Sequence, residues 1–120
     1  MIHNYTIQSI YNNHTNEIIE LITYIQQREF NIPVTLKDQP DLLDVEAYYH
    51  AGGGNFWGAF KCEEIVGTIA LIDIGHNAGT IRKMFVKDGH RGTGLAQQLL
   101  DTLLDYSREK QITDLYLSGS

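Results

Sequence analysis

The chain has 120 residues, 42% of them hydrophobic and 20% charged, with no low-complexity tract; one domain spanning residues 1–120 with a single core is expected. Nine Lys and Arg against 15 Asp and Glu give a formal net charge of -6, which argues against a sequence-independent DNA or RNA binder, because that task needs many phosphate contacts. The lone Cys62 excludes an internal disulfide and a cysteine zinc cluster, so no metal is expected.

Tyr5 to Tyr11 reads as a short strand, with Tyr5, Ile7 and Ile10 as its apolar positions. Thr15 or Asn16 then offers a cap for an amphipathic helix, since Ile18, Leu21, Ile22 and Ile25 fall at i, i+3, i+4, i+7 spacing up to about Phe30. Ile32-Pro33 and Gln39-Pro40 make residues 31–40 a loop, and Asp41 is placed to cap a second short helix through Leu42, Leu43, Val45 and Tyr48. Gly52-Gly53-Gly54 ends it. Phe56 to Cys62 and Ile65 to Ile74 are β-branched runs around Glu63-Glu64, which predicts an antiparallel hairpin. A third strand, Thr80 to Val86, follows the turn Gly75 to Gly79. The longest helix, Leu95 to Lys110, buries Leu95, Leu99, Leu100, Leu103, Leu104 and Tyr106, and Thr113 to Leu117 is a final strand. Strand, helix and strand make one right-handed crossover, so these last two strands should be parallel. No signal-peptide pattern opens the chain and no apolar run nears the roughly 18 residues of a membrane span, so the expected setting is cytoplasmic.

The densest chemical signal is His90-Arg91-Gly92-Thr93-Gly94-Leu95-Ala96, between the third strand and the long helix. Glycines there let backbone N–H groups approach a ligand, and the positive end of the helix points at the same spot, which is how a diphosphate cradle is built. The alternative is a tight connection that needs glycine for geometry alone. A Walker loop is absent, and Gln97 stands where a dinucleotide fingerprint needs a third small residue.

Arg91-x-x-Gly94-x-Ala96, following Met84-Phe85-Val86-Lys87-Asp88, resembles the acyl-CoA motif (Arg/Gln)-x-x-Gly-x-(Gly/Ala) of the GNAT family of N-acetyltransferases, and the resemblance runs from about Tyr5 to Leu117. It implies an α/β (α+β) fold: a mixed, mostly antiparallel sheet with flanking helices and a splayed parallel strand pair at the acyl-CoA site. It also implies acetyl-CoA as co-substrate, with its diphosphate on the amides of Arg91, Gly92, Thr93, Gly94, Leu95 and Ala96. The pantetheine arm would pair like an added strand with a bulged segment around Met84, Phe85 and Val86. The thioester would then lie between Phe85 and Leu117-Ser118, with the amide of Phe85 or Val86 aimed at the oxyanion.

Acetyl transfer needs a neutral amine, and a lysine-like amine at neutral pH carries a penalty of about 4 kcal/mol for losing its proton. Asp73, His76, Glu63 and Glu64 are candidate bases, with Asp73 best placed; ordinary solvated carboxylates and surface histidines, His50 included, are the alternative. Phe30, Asp38, Asp41, Asp44, Glu46, Tyr48, Tyr49 and the segment Gly52 to Trp57 would line the side that receives a cationic small-molecule or peptide amine. The alternative there is a solvated helix face, with one of Phe56 and Trp57 packing inward. The triple glycine is either a simple turn or a mobile lid. Arg82 and Lys83 read as sheet-flanking charges, one of them able to reach a coenzyme phosphate.

The family pattern continues past Thr113–Leu117 with a further helix, often bearing a Tyr that protonates the departing thiolate, and two more strands. This chain stops at Ser118-Gly119-Ser120, so a C-terminally truncated form is expected. Leu115-Tyr116-Leu117 would then be an open edge, completed in a homodimer. The readings are an N-acetyltransferase acting by direct attack in a ternary complex, a catalytically deficient CoA-binding module with a regulatory or assembly role, and a fragment with no ligand.

Overall fold

The computed structural model describes residues 4–117. Five strands, β1 (Thr6–Ser9), β2 (Asn55–Lys61), β3 (Glu64–Gly75), β4 (Ala78–Val86) and β5 (Asp114–Leu117), form one sheet whose spatial order follows the chain. All neighbours are antiparallel except β4 and β5, which are parallel, as the crossover through the long helix α2 (Leu95–Glu109) requires. The earlier helix, α1 (Thr15–Tyr24), runs on through a widened turn at Ile25–Glu29, where the Phe30 N–H reaches back to the Ile25 carbonyl at 3.2 Å. Mixed topology and the parallel pair are those expected.

Both faces of the sheet are covered, and this follows from the unbroken apolar runs in β2 and β3. Alternate residues of a strand point to opposite faces, so a run with no polar break needs cover on both. Phe56, Ile65 and Ala70 join Ile18, Leu21, Ile22 and Ile25 of the first helical segment, together with Leu42, Val45 and Tyr49. Trp57, Val66, Ile69 and Leu71 join Leu95, Leu99 and Leu103 of α2. Phe56 and Trp57 are therefore both buried, one in each cluster, where only one was expected inward. Each fully buried leucine of α2 stabilises the docked helix by roughly 1.5–3 kcal/mol.

Three local elements differ from expectation. The β2–β3 turn falls at Cys62-Glu63, with φ of 51° and 68°, and Glu64 already pairs with Lys61. The β3–β4 turn likewise tightens to His76-Asn77, with φ of 56° and 60°, so β4 starts at Ala78. Two consecutive left-handed residues suit the right-handed twist of the flanking strands. The second helix is broken into turns at Pro40–Leu43 and Glu46–His50. Asp41 does not cap it; Asp44 leaves the helical region, and its carboxylate accepts N–H groups from Asn12 (2.9 Å) and Ala47 (3.1 Å).

Gly54 is the residue of the triple glycine that the packing demands. A Cβ built there would stand 2.0 Å from the Leu71 carbonyl oxygen. The Tyr106 hydroxyl donates to the carbonyls of Gly53 (2.8 Å) and Gly54 (3.1 Å), fixing this turn to α2. Among the described residues no helix is long and apolar enough to cross a membrane.

Candidate functional site

Between β4 and α2 the backbone turns through Gly92 (φ 76°) and Gly94 (φ 88°), conformations that cost an L side chain about 1–2 kcal/mol each. A Cβ at either would meet nothing within 4 Å, so the conformation rather than crowding selects glycine, and the backbone stays open to a ligand. Gly94 occupies the N-cap of α2, with no side-chain cap and no acidic residue in the first turn. The N–H groups at that end are the ones a helix cannot pair internally. Leu95 anchors the turn in the core, and Ala96 is exposed beside it.

The turn is braced from behind. The Tyr5 hydroxyl lies 3.0 Å from His90 Nδ1 and 3.3 Å from Thr93 Oγ1, and the Thr93 hydroxyl donates to the His90 carbonyl at 2.6 Å. Arg91 Nε donates to the Val86 carbonyl (2.9 Å), its Nη1 pairs with Glu29 Oε1 (2.8 Å), and its guanidinium lies over the Phe30 ring. The Arg91 side chain thus ties strand, turn and first helix together. Tyr5 and His90 are 85 positions apart in sequence, which is why no local pattern signals the brace.

β4 carries the expected bulge. Thr68 pairs with Phe85 and Ala70 with Arg82, so Ile69 alone faces both Lys83 and Met84. Past Ile81, β4 has no strand partner on the β5 side among the described residues. Met84 is exposed, while Phe85 packs toward α1 and Val86 toward α2. Among the described residues, Met84, Phe85 and Val86 therefore form a strand edge without a strand partner on the β5 side, its Val86 carbonyl held by Arg91, leading to the glycine turn. Ser118, expected opposite it, lies outside the described residues.

Lys83 overturns its expected role as a flanking charge. It sits in the left-handed region (φ 54°) and is 1% exposed. Its ammonium donates to Gln39 Oε1 at 2.7 Å and lies 3.7 Å from Asp41 Oδ2. Asp41 also accepts the hydroxyl of buried Tyr49, and Gln39 and Gln26 exchange amide hydrogen bonds at 2.8 and 2.9 Å. Burial pushes the Lys83 ammonium below its ordinary pKa against the opposing pull of Asp41; burial, then the bond to Asp41, pushes the Tyr49 phenol above its own. A strict two-residue alternation misses this cluster, because the bulge shifts the side-chain phase at Lys83.

The structure does not bring Asp73 to the bulge. Asp73 pairs with Gly79, four residues along β3 from Ile69, which at about 3.3 Å per residue is roughly 13 Å from the bulge. Its carboxylate accepts the Gly75 N–H (2.9 Å). Burial, followed by the Asp73 charge, raises the Tyr106 phenol pKa. His76 is an exposed turn residue, His50 bonds the Ile10 carbonyl (2.7 Å), and Glu63 lies in the hairpin turn. Glu64 pairs with Lys87, which holds its carboxyl below the usual range. Of the acids expected around an acceptor, Asp38 closes a turn onto Thr35 (3.0 Å), and Asp44 and Glu46 hold Asn12 (2.9 Å each). Among the described residues no group of three or more His, Cys, Asp or Glu could hold a metal ion.

The bulged strand, the glycine turn, the uncapped helix and the parallel return strand are the elements that the resemblance noted in the sequence implies. Residues 19–119 match the Acetyltransferase (GNAT) family, and the chain belongs to that family. A GNAT acetyltransferase of Staphylococcus aureus is similar over 97% of this chain and 74% of its own, with 38% identity and a TM-score of 0.94. N-acetyltransferase 8F1 of Rattus norvegicus is 29% identical over 85 residues, 67% of this chain and 38% of the rat protein. The matched region is thus under two fifths of that curated relative. A Clostridium acetobutylicum predicted acetyltransferase with acetyl-CoA shares the fold, at 17% identity and a TM-score of 0.78 over 98% of this chain and 82% of its own.

Proposed function

We propose that this chain, as one acyltransferase unit, holds acetyl-CoA and passes its acetyl group to a small-molecule or peptide amine by direct attack with both substrates bound. The observation that carries the reading is the uncapped N-terminus of α2 behind two left-handed glycines whose outer side is open. A pyrophosphate fits such a donor set, and each N–H contact at a helix start is worth about 0.3–1 kcal/mol, more when partly buried. Family membership and the acetyl-CoA complex of the Clostridium fold neighbour support the same ligand.

The amides of Arg91 through Ala96 would grip the diphosphate, and Met84, Phe85 and Val86 the pantetheine arm. The co-substrate supplies an activated acyl carbonyl. The Phe85 or Val86 N–H meets negative charge as it grows on the carbonyl oxygen, the interaction that most lowers the barrier of acyl transfer. Asp73 stands beyond direct or one-water reach of the bulge, so the proton lost by the amine passes to solvent rather than to Asp73. We assign the chain a cytoplasmic setting and association of two copies through the β5 edge.

The test is calorimetric titration with coenzyme A. Gly94→Glu places a side chain at a left-handed position and a carboxylate in the cradle, and it should abolish the binding seen with the parent chain; unchanged affinity removes the cradle. Thiol release from acetyl-CoA, with a panel of primary amines, then separates a transferase from a module that only binds the coenzyme.

A further inference from the structure

Lys83 combines two unfavourable features at one residue. Its backbone is left-handed, a conformation that a residue with a side chain adopts only under strain. Taking an ammonium and a carboxylate out of water is costly, and apolar residues of similar size are often as stable or more so. The fold therefore has no evident stability reason for Lys83 and Asp41. Both features fall on the bulge, next to the strand edge of Met84 to Val86. Strain of this kind gathers where geometry serves a function.

The cluster reaches in two directions. The Thr68 hydroxyl donates to the Lys83 carbonyl at 2.7 Å and fixes the backbone of the bulge. Through Nζ, Lys83 grips Gln39 and Asp41, and through Asp41 it grips Tyr49. Gln39 extends the hold to Gln26 and, at 3.4 Å, to the Thr35 carbonyl. Bulge and the segment from Thr35 to Tyr49 are thus tied by buried polar bonds.

Building on the acetyl-CoA reading, we propose that Lys83 and Asp41 form a buried latch that holds the β4 bulge in register with the segment covering it, so that the strand edge at Met84 to Val86 faces the acyl end of the ligand. Lys83 is a positioning residue in this arrangement. It is too buried to touch substrate, and it acts through the backbone it bends.

The experiment follows backbone amide resonances of the full chain on addition of acetyl-CoA, for the parent, Lys83→Met, and the charge-free double variant Lys83→Met/Asp41→Asn. In the parent, amides at Gly92 and Gly94 and at Met84 to Val86 should all shift. In both variants the cradle amides should still shift, with affinity changed by less than about threefold, while those of the bulge no longer respond. Wherever an amine acceptor is found, kcat should fall at least tenfold with little change in the KM for acetyl-CoA. The double variant restores charge balance, so it should recover stability lost by Lys83→Met without recovering the bulge response or kcat. If it recovers both, or if the bulge still responds in both variants, the latch is overturned while the coenzyme reading stands. If the cradle amides stay silent in the parent, the coenzyme reading fails and takes the latch with it.

Discussion

Tyr49 shows how one buried phenol links the cluster at the bulge to the stability of the whole. Burial raises its folded pKa above the ordinary value of about 10, so above that pH the unfolded chain loses a proton that the fold keeps. The unfolded state then binds fewer protons, and stability falls as pH rises. Its contribution is complete below pH of about 10 and declines by up to about 1.4 kcal/mol per further pH unit. Urea unfolding at several alkaline pH values should reveal that slope in the parent and a shallower one in Tyr49→Phe. Near neutral pH the variant should lose about 1–3 kcal/mol, because Asp41 is left with one donor fewer. Equal alkaline slopes would mean that Tyr49 ionises as readily in the fold as in the unfolded chain. At this scale the sequence was legible where chemistry is local: the glycines at 92 and 94 announce their conformation by identity. It was silent on Lys83, since no run of neighbours marks a lysine that is buried by the phase shift of a bulge.

Among the elements, α2 does the most joining, and its pattern was the plainest in the chain. Leu95, Leu99 and Leu103 repeat every four residues, and all three are at most 1% exposed against Trp57, Val66, Ile69 and Leu71. Leu99→Ala removes a fully buried side chain from this face and should cost about 2–5 kcal/mol in chemical unfolding. Leu43→Ala, at a half-exposed turn position, should cost well under 1 kcal/mol. Comparable losses at both sites would contradict the packing described. The crossover from β4 through α2 to β5 was readable because periodicity changes from two to near four and back within one stretch. The broken second helix was not readable: Leu42, Val45 and Tyr49 do face one core, but Asp44 is drawn out of helical geometry by Asn12, 32 positions away. The brace of Tyr5 on His90 escaped for the same reason of distance.

Across the molecule, one sheet divides two apolar clusters, and its outer strand β5 pairs on a single side among the described residues. Tyr116 and Leu117 are 57% and 82% exposed along that edge, and unpaired edges are templates for further strands. Sedimentation at high protein concentration should find a dimer, and Leu117→Lys should return it to monomers, because charge on an edge opposes pairing. A parent chain that stays monomeric throughout removes the proposed association.

The Trp57 ring stands edge-on to Tyr106, with centroids 5.2 Å apart, and Tyr106 holds the carbonyls of the glycine turn before β2. The chain has a single tryptophan. Its fluorescence therefore arises from one spot, where sheet and long helix meet, and reports whether that helix is seated. Emission colour and quenching become an optical gauge of the scaffold behind the glycine turn, readable without any added label.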